Sequence, residues 1–391
     1  MTLPPAFTLL QVTPRLDTGG VERTTVDVAA AVVAAGGRAI VASEGGRLED
    51  ALAAAGAALV RLPVASKNPL TIAANGRALK ALAVRERVSL IHARSRAPAF
   101  SALWAARAAR IPFVATYAGV YNARSPWKRW YNGVMARADL VIANSDFTRA
   151  HVLASHGADP GRVAAIPRGV DLAEFDPAAV AAERVRSVRR AWGIDETESR
   201  PVVLLAGRLT RWKGQALAVQ AARRLRARGV SDFILVLAGD DQGRDAYRQE
   251  LEAAITGAAM GEAVRLVGHC ADMPAAYLAA DLACAPSLEP EAFGRTAVEP
   301  LAMGRPVLAA DHGATAETVT PGRTGWLVAP GDVDAWAAAL EAALVAGPEA
   351  WARMGQAGMA DVRSRFSVTA MTNATLEAYA QLLASRASAA R

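Results

Sequence analysis

Glu291 and Glu299 stand eight residues apart in Glu289-Pro-Glu291-Ala-Phe-Gly294-Arg-Thr-Ala-Val-Glu299, directly after the apolar run LACAPS. If a helix opens near Gly294, the loop carboxylate and the helical one point toward one cleft. Carboxylates accept hydrogen bonds from sugar hydroxyls, while the free N–H groups of a helix start, with Thr296 beside them, receive phosphate. For Glu299 the competing reading is an ordinary exposed helical acid. A second constellation, Gly207-Arg208-Leu209-Thr210-Arg211-Trp212-Lys213-Gly214, follows the run VVLLAG. Two cations just past a strand end, Arg208 and Lys213, suit a diphosphate and a solvated basic loop equally. Gly19-Gly20 join the apolar run 7–13 to a helix starting near Val21, as a tight turn or as a loop that lets phosphate approach. The GxGxxG dinucleotide pattern is missing there.

His92-Ala-Arg94-Ser95-Arg96 ends another apolar run. Arg94 and Arg96 fit an acidic ligand such as a phosphorylated or carboxylated sugar. His92 reads either as a ligand contact or as a strand-end histidine satisfied by backbone. The segment from Asn122 to Tyr131 interleaves Arg124, Lys128 and Arg129 with Trp127, Trp130 and Tyr131. That mixture fits an interfacial membrane contact or a surface helix with partly buried aromatics. Asp332-Val-Asp334 imitates a metal-binding Asp-x-Asp, but its place directly before a helical stretch makes it a cap, and no metal is expected. Asp240-Asp241 reads as a turn.

Stepwise alternation of short apolar runs with Ala-rich helical stretches must position these groups. Predicted strands cover 7–13, 39–43, 59–62, 90–92, 113–117, 140–143 and 163–166, then 202–206, 233–238, 264–267, 282–285, 307–310 and 325–328. The pattern predicts an α/β chain of two Rossmann-like, doubly wound domains, with ligands at the carboxyl ends of the strands and in a central cleft. The domains are drawn at 1–170 and 201–371, with 171–200 as a linker plus a surface helix.

A 391-residue chain that is 52% hydrophobic and 21% charged is neither disordered nor fibrous. Its net charge of +7 is unevenly spread: residues 1–170 hold 21 Lys and Arg against 10 Asp and Glu, a balance of +11, and the rest is −4. An acidic partner, either an anionic small molecule or an anionic membrane surface, therefore belongs to the first half. Nucleic acid is not expected, because that half lacks a recognition module. Cys270 and Cys284 match no paired zinc spacing and read as reduced packing thiols. Neither a signal peptide nor a spanning stretch is apparent, so the expected location is cytoplasmic, with any membrane contact peripheral, on the cytoplasmic face of the inner membrane.

Together, Gly19-Gly20-Val21-Glu22-Arg23, Ala143-Asn144-Ser145, Pro167-Arg168-Gly169-Val170-Asp171, Gly207-Arg208-Leu209 with Lys213-Gly214, and Glu291 to Glu299 followed by Ala302-Met303-Gly304-Arg305-Pro306-Val307 resemble the retaining, nucleotide-sugar-dependent glycosyltransferases of family 4, with GT-B architecture. The order and spacing of these pieces, over nearly the whole chain, carry the likeness. It implies a C-terminal helix near 372–391 that joins the first domain. It also implies that Glu291 contacts the donor sugar, that Glu299 binds ribose, and that Arg208 and Lys213 hold the diphosphate and stabilise the leaving group. Arg208, Lys213 and Glu291 are then the catalytic residues. Donor contacts extend to Gly19, Gly20, His269 in the loop 268–273, Phe293, Gly294, Arg295 and Thr296. On the acceptor side stand His92, Arg94, Arg96, Tyr117 and Asn122. Relatives often read His-Gly where this chain has Ala118-Gly119, and Tyr117, Asn122 or His92 are the nearby substitutes. ASKNPL, HARSRAP and GRLTRWKG are similar to bacterial lipopolysaccharide-core enzymes, implying transfer of a hexose, mannose from GDP-mannose among the options, to a glycan or lipid-linked acceptor without a metal. A nucleotide-sugar epimerase of the same architecture and a catalytically silent nucleotide-sugar-binding protein are the alternative readings.

Overall fold

Every apolar run becomes a parallel strand in the computed structural model, which describes residues 3–17, 19–121, 125–257 and 260–389. The chain divides into two units, residues 1–169 with 368–391 and residues 170–367. In the first, β1 (Thr8–Val12), β2 (Arg38–Ser43), β3 (Ala58–Arg61), β4 (Leu90–Ala93), β5 (Phe113–Tyr117), β6 (Leu140–Ala143) and β7 (Val163–Ala165) form a sheet in the order β3-β2-β1-β4-β5-β6-β7. In the second, β8 (Val202–Ala206), β9 (Ile234–Ala238), β10 (Val264–Gly268), β11 (Leu282–Ala285), β12 (Val307–Ala310) and β13 (Gly325–Val328) follow the order β10-β9-β8-β11-β12-β13. Both are doubly wound Rossmann-like α/β units, as the alternation predicts.

Helices cover both faces of each sheet, so central strands such as TLLQV and VVLLA are buried throughout and show no polar alternation. Successive side chains still go to opposite faces: Leu10 and Val12 enter one core cluster of the first unit and Leu9 the other. Register places Leu10 beside Ile40 on one flank and Ile91 on the other. The chain winds outward from β1 toward β3, then restarts at β4 on the opposite side. This reversal opens a crevice at the carboxyl ends of β1 and β4, and the same logic opens one at β8 and β11.

Residues 171–200 depart from the linker expected of them, because they belong to the core of the second unit. Helix Ala182–Ala191 carries Val185 and Val188 on one face, and Val188, Trp192 and Ile194 are buried there with Tyr277 and Phe293. Apolar residues at helical spacing outweigh the charges that crowd the exposed face, where Arg184 clasps Asp272 with bonds of 2.7 and 2.8 Å. Helix Val368–Ala389 packs on helix Gly20–Ala34 of the first unit and buries Met371, Leu376 and Tyr379.

Trp192→Ala is expected to lower the unfolding free energy by about 3–5 kcal/mol, as for other buried tryptophans. Urea titration followed by circular dichroism checks it, and a change below about 1 kcal/mol would mean the segment is peripheral.

Candidate functional site

The loops after β8 and β11 meet at the crevice of the second unit. Lys213 Nζ lies 2.7 Å from Glu291 Oε1, and the two side chains are only 10% and 11% exposed. Ser287 Oγ donates to the same Glu291 oxygen at 2.6 Å. Lys213 also sits over the Trp212 ring, 4.5 Å from its centroid. One of the three ammonium protons serves Glu291, leaving two for a further acceptor.

Backbone closeness fixes this arrangement. Gly214, which ends the β8 loop, has φ +78°, and a Cβ there would lie 1.9 Å from the carbonyl oxygen of Pro286 on the β11 loop. Only glycine lets the two loops approach so closely. Buried Gln215 follows, donating from Nε2 to the Arg208 carbonyl at 2.9 Å. Arg208 itself is exposed, and no acid among the described residues pairs with it. Thr210, between Arg208 and Lys213, has a buried hydroxyl without a hydrogen-bond partner.

The short helix Arg295–Ala302 begins directly after Gly294, so Thr296 occupies its first turn and Phe293 anchors the preceding loop by packing on Phe366. Glu299 is 5% exposed, which removes the reading as an ordinary surface acid. Its Oε1 accepts from Arg295 Nε at 2.6 Å and lies 2.5 Å from Nη2 of the same guanidinium, while its Oε2 accepts from Tyr277 at 3.1 Å, which leaves Oε2 a further lone pair. Burial pushes the Glu299 carboxyl above its ordinary value of 4.5, against the opposing pull of Arg295 and of both hydrogen bonds. His269 is exposed just past β10, two strands away from β8.

Gly19 and Gly20 belong to the first unit, where helix Gly20–Ala34 starts as expected. Beside them lies a pocket of about 20 Å³ whose lining includes Arg94, Thr116, Asn144 and Arg168. Arg94 is 3% exposed and donates from Nε and Nη2 to Gln11 Oε1 at 2.8 and 2.5 Å. Two acceptor-side expectations need correction. His92 is sealed in the core, with Nδ1 2.5 Å from the Tyr379 hydroxyl and Nε2 2.7 Å from Thr116 Oγ1. Burial, with Arg94 adding to it, holds its pKa well below the usual 6.5, so it is a neutral structural imidazole. Tyr117 is equally buried, bonded to His156 Nε2 at 2.9 Å, and burial raises its pKa. Neither side chain has a surface to offer an acceptor. Arg96 is half-buried, 3.9 Å above the Tyr121 ring and bonded to Asn132 at 2.9 Å. Asn122 lies outside the described residues.

Trp127 and Trp130 stack at 4.9 Å and are 69% and 46% exposed. With Trp104, Phe100 and Tyr131 they line a groove of about 460 Å³, which Lys67 and Arg77 also border. Asp332 caps the helix that follows by accepting from the N–H groups of Asp334 and Ala335, and Asp240 and Asp241 each close a turn, as expected. Among the described residues, no group of three or more His, Cys, Asp or Glu is placed to hold a metal, and no helix is long and apolar enough to cross a membrane.

Gln11, Gln215, Ser287 and Tyr277 were not singled out from sequence. Gln11 could have been, as the one strongly polar residue inside an otherwise apolar run; the other three carry no local signal.

Residues 18–174 match the family described as Glycosyltransferase Family 4, and residues 188–360 match Glycosyl transferases group 1. A solved glycosyltransferase from Rickettsia africae is 30% identical with a TM-score of 0.88, covering 97% of this chain and 99% of that one. HepE of Anabaena, solved in complex with UDP, shares the fold at 23% identity and a TM-score of 0.81, over 95% of this chain and 99% of its own. D-inositol 3-phosphate glycosyltransferase 2 of Catenulispora acidiphila is 32% identical over 63% of this chain and 57% of its own length. The chain thus spans little more than half the length of the curated relatives it matches.

Because the native state keeps the Glu299 proton to higher pH than the unfolded chain does, its stabilising contribution is complete below the unfolded value and is lost as pH rises through the raised native value. Glu299→Gln is therefore expected to gain stability relative to the unsubstituted protein as pH rises from about 4, the ordinary carboxyl value, through the raised native value. Urea unfolding of both across that range reads the difference, and a constant offset would contradict it.

Proposed function

The chain belongs to the family 4 glycosyltransferases of GT-B architecture, and on that premise we propose that it moves a hexose from a nucleotide diphosphate sugar to a glycan or lipid-linked acceptor with retention at the anomeric carbon. The observation that carries this reading is the buried Lys213–Glu291 pair at the β8–β11 crevice, with exposed Arg208 on the same loop.

Departure of a nucleoside diphosphate leaves negative charge on its β-phosphate. Arg208, the spare protons of Lys213 and the N–H groups opening helix Arg295–Ala302 supply fixed positive ends for that charge, which lowers the barrier without a metal. Glu291 accepts from hydroxyls of the donor sugar, and the remaining lone pair of Glu299 Oε2 accepts from ribose. The acceptor oxygen bonds to the anomeric carbon on the face the phosphate leaves. As the carbon–phosphate oxygen bond breaks, the hydroxyl proton passes to a β-phosphate oxygen, so the nucleoside diphosphate departs with it.

Mannose from GDP-mannose and a lipopolysaccharide-core acceptor are the specific substrates in this reading, supported by the likeness of ASKNPL, HARSRAP and GRLTRWKG to enzymes of that class. The phosphorylated acceptor named for the inositol phosphate relatives supports an anionic acceptor, and so does the +11 balance of residues 1–170. Exposed Trp127 and Trp130 beside Lys67, Arg77, Lys128 and Arg129 support peripheral contact with an anionic membrane from the cytoplasmic side.

Arg208→Ala removes an exposed, unpaired side chain, so the fold is expected to survive while sugar transfer or donor hydrolysis falls about 10²–10³-fold. Full turnover in Arg208→Ala and Glu291→Ala, assayed across GDP-, UDP- and ADP-sugars, would sink the proposal. NMR of the product's anomeric proton tests retention. Trp127→Ser with Trp130→Ser is expected to abolish co-sedimentation with anionic phospholipid vesicles, and undiminished binding would remove the membrane contact.

A further inference from the structure

We propose that the Arg94–Asn144 pocket of the first unit binds the anionic group of a hydroxyl-bearing small molecule, a phosphorylated or carboxylated polyol. Its identification with the transferase's acceptor rests on the reading above, but the site itself does not.

Arg94 is a buried cation among neutral partners. Its guanidinium donates from Nε and Nη2 to Gln11 and from Nη1 to Thr116 Oγ1 at 3.3 Å. Among the described residues, no carboxylate lies within ion-pair distance of it. Asp27 attracts it only at longer range and is itself 3.4 Å from Arg23. Burying a charge without a counter-charge is costly, and a side chain with a free path to water would leave. Arg94 is instead clamped: Gln11 Nε2 donates to the Thr25 carbonyl at 2.9 Å, which fixes its amide with the oxygen toward Arg94. Three of the five guanidinium N–H groups are occupied, leaving two unspent.

Asn144 supplies the complementary group. Its Nδ2 donates to the Ala118 carbonyl at 3.3 Å, so the amide orientation is fixed and Oδ1 is the atom left over. That oxygen is buried, on a side chain 2% exposed, and has no hydrogen-bond partner. The pocket therefore asks for two things at once, a negative oxygen for Arg94 and a proton donor for Asn144. Water meets only the second demand. An oxyanion next to a hydroxyl meets both.

Size limits what enters. About 20 Å³ admits the head of a phosphate or carboxylate, not a sugar ring. The rest of the molecule extends past the half-buried rim at Thr24 and Arg168. Thr116 couples the floor to the interior, since its hydroxyl meets both Arg94 and His92.

The test is the thermal midpoint of the full chain at fixed ionic strength, with glycerol 3-phosphate, glycerate, sulfate or sodium chloride added. Glycerol 3-phosphate or glycerate is expected to raise Tm saturably by a few degrees, sulfate less, and chloride not at all, because a ligand of the native state alone stabilises it. Arg94→Met is expected to lose the rise while keeping or raising the ligand-free Tm, as happens when an apolar isostere replaces an uncompensated buried charge. Asn144→Ala is expected to keep the sulfate response and lose the additional response to glycerol 3-phosphate, which decides the matter if Arg94→Met does not fold. A rise no larger than with chloride, or a full rise in both variants, overturns the site. Anion binding without any sugar transfer would leave the site and remove the acceptor role, whereas transfer without an anion response would remove the site alone.

Discussion

Parallel strands all run the same way, and nearly everything in this molecule depends on that restriction. It sends every loop that follows a strand to one edge of the sheet, and winding in two directions leaves one gap along that edge uncovered by crossovers. Side chains distant in sequence meet there. Lys213 follows β8 and Glu291 follows β11, 78 residues later, yet they form a bond. Gln11 on β1 and Arg94 after β4 are 83 residues apart and also meet. Both pairings cross a switch point, one in each unit.

The two units treat buried charge in opposite ways. In the second, Lys213 has its carboxylate, and a rigid neighbourhood of Gly214, Gln215 and Ser287 keeps the pair aimed. Attraction between the pair offsets much of the desolvation, and the ammonium keeps protons to spare. In the first, Arg94 is surrounded by amide and hydroxyl groups that orient it without neutralising it. One site is organised around a charge already balanced, the other around one left open.

Much of this was legible in the chain itself. Strands buried on both faces read as unbroken apolar runs, and the fixed spacing of Glu291, Gly294 and Glu299 located a helix start that the structure contains. What stayed hidden was decided at a distance. His92 could not be told from a ligand-facing histidine, because the hydroxyl that seals it comes from Tyr379, 287 residues further on. Tyr117 is closed off by His156 in the same manner. The charges of residues 182–191 dominated their local composition, while the burial of Val188 and Trp192 depends on a surface formed by later segments. Gln215 and Ser287 are ordinary residues in sequence and become informative only through what they hold.

Tyr379 also bears on synthesis. The first unit begins at the start of the described chain but is closed by helix Val368–Ala389, after all of residues 170–367 have been made. On the ribosome, the early-encoded sheet must therefore wait, with the faces that Met371, Leu376 and Tyr379 will cover still open to water. The later-encoded unit, continuous in sequence, has its whole core available first. Order of translation and order of completion are thus inverted, and the N-terminal half is the part exposed longest to chaperones and to misassembly.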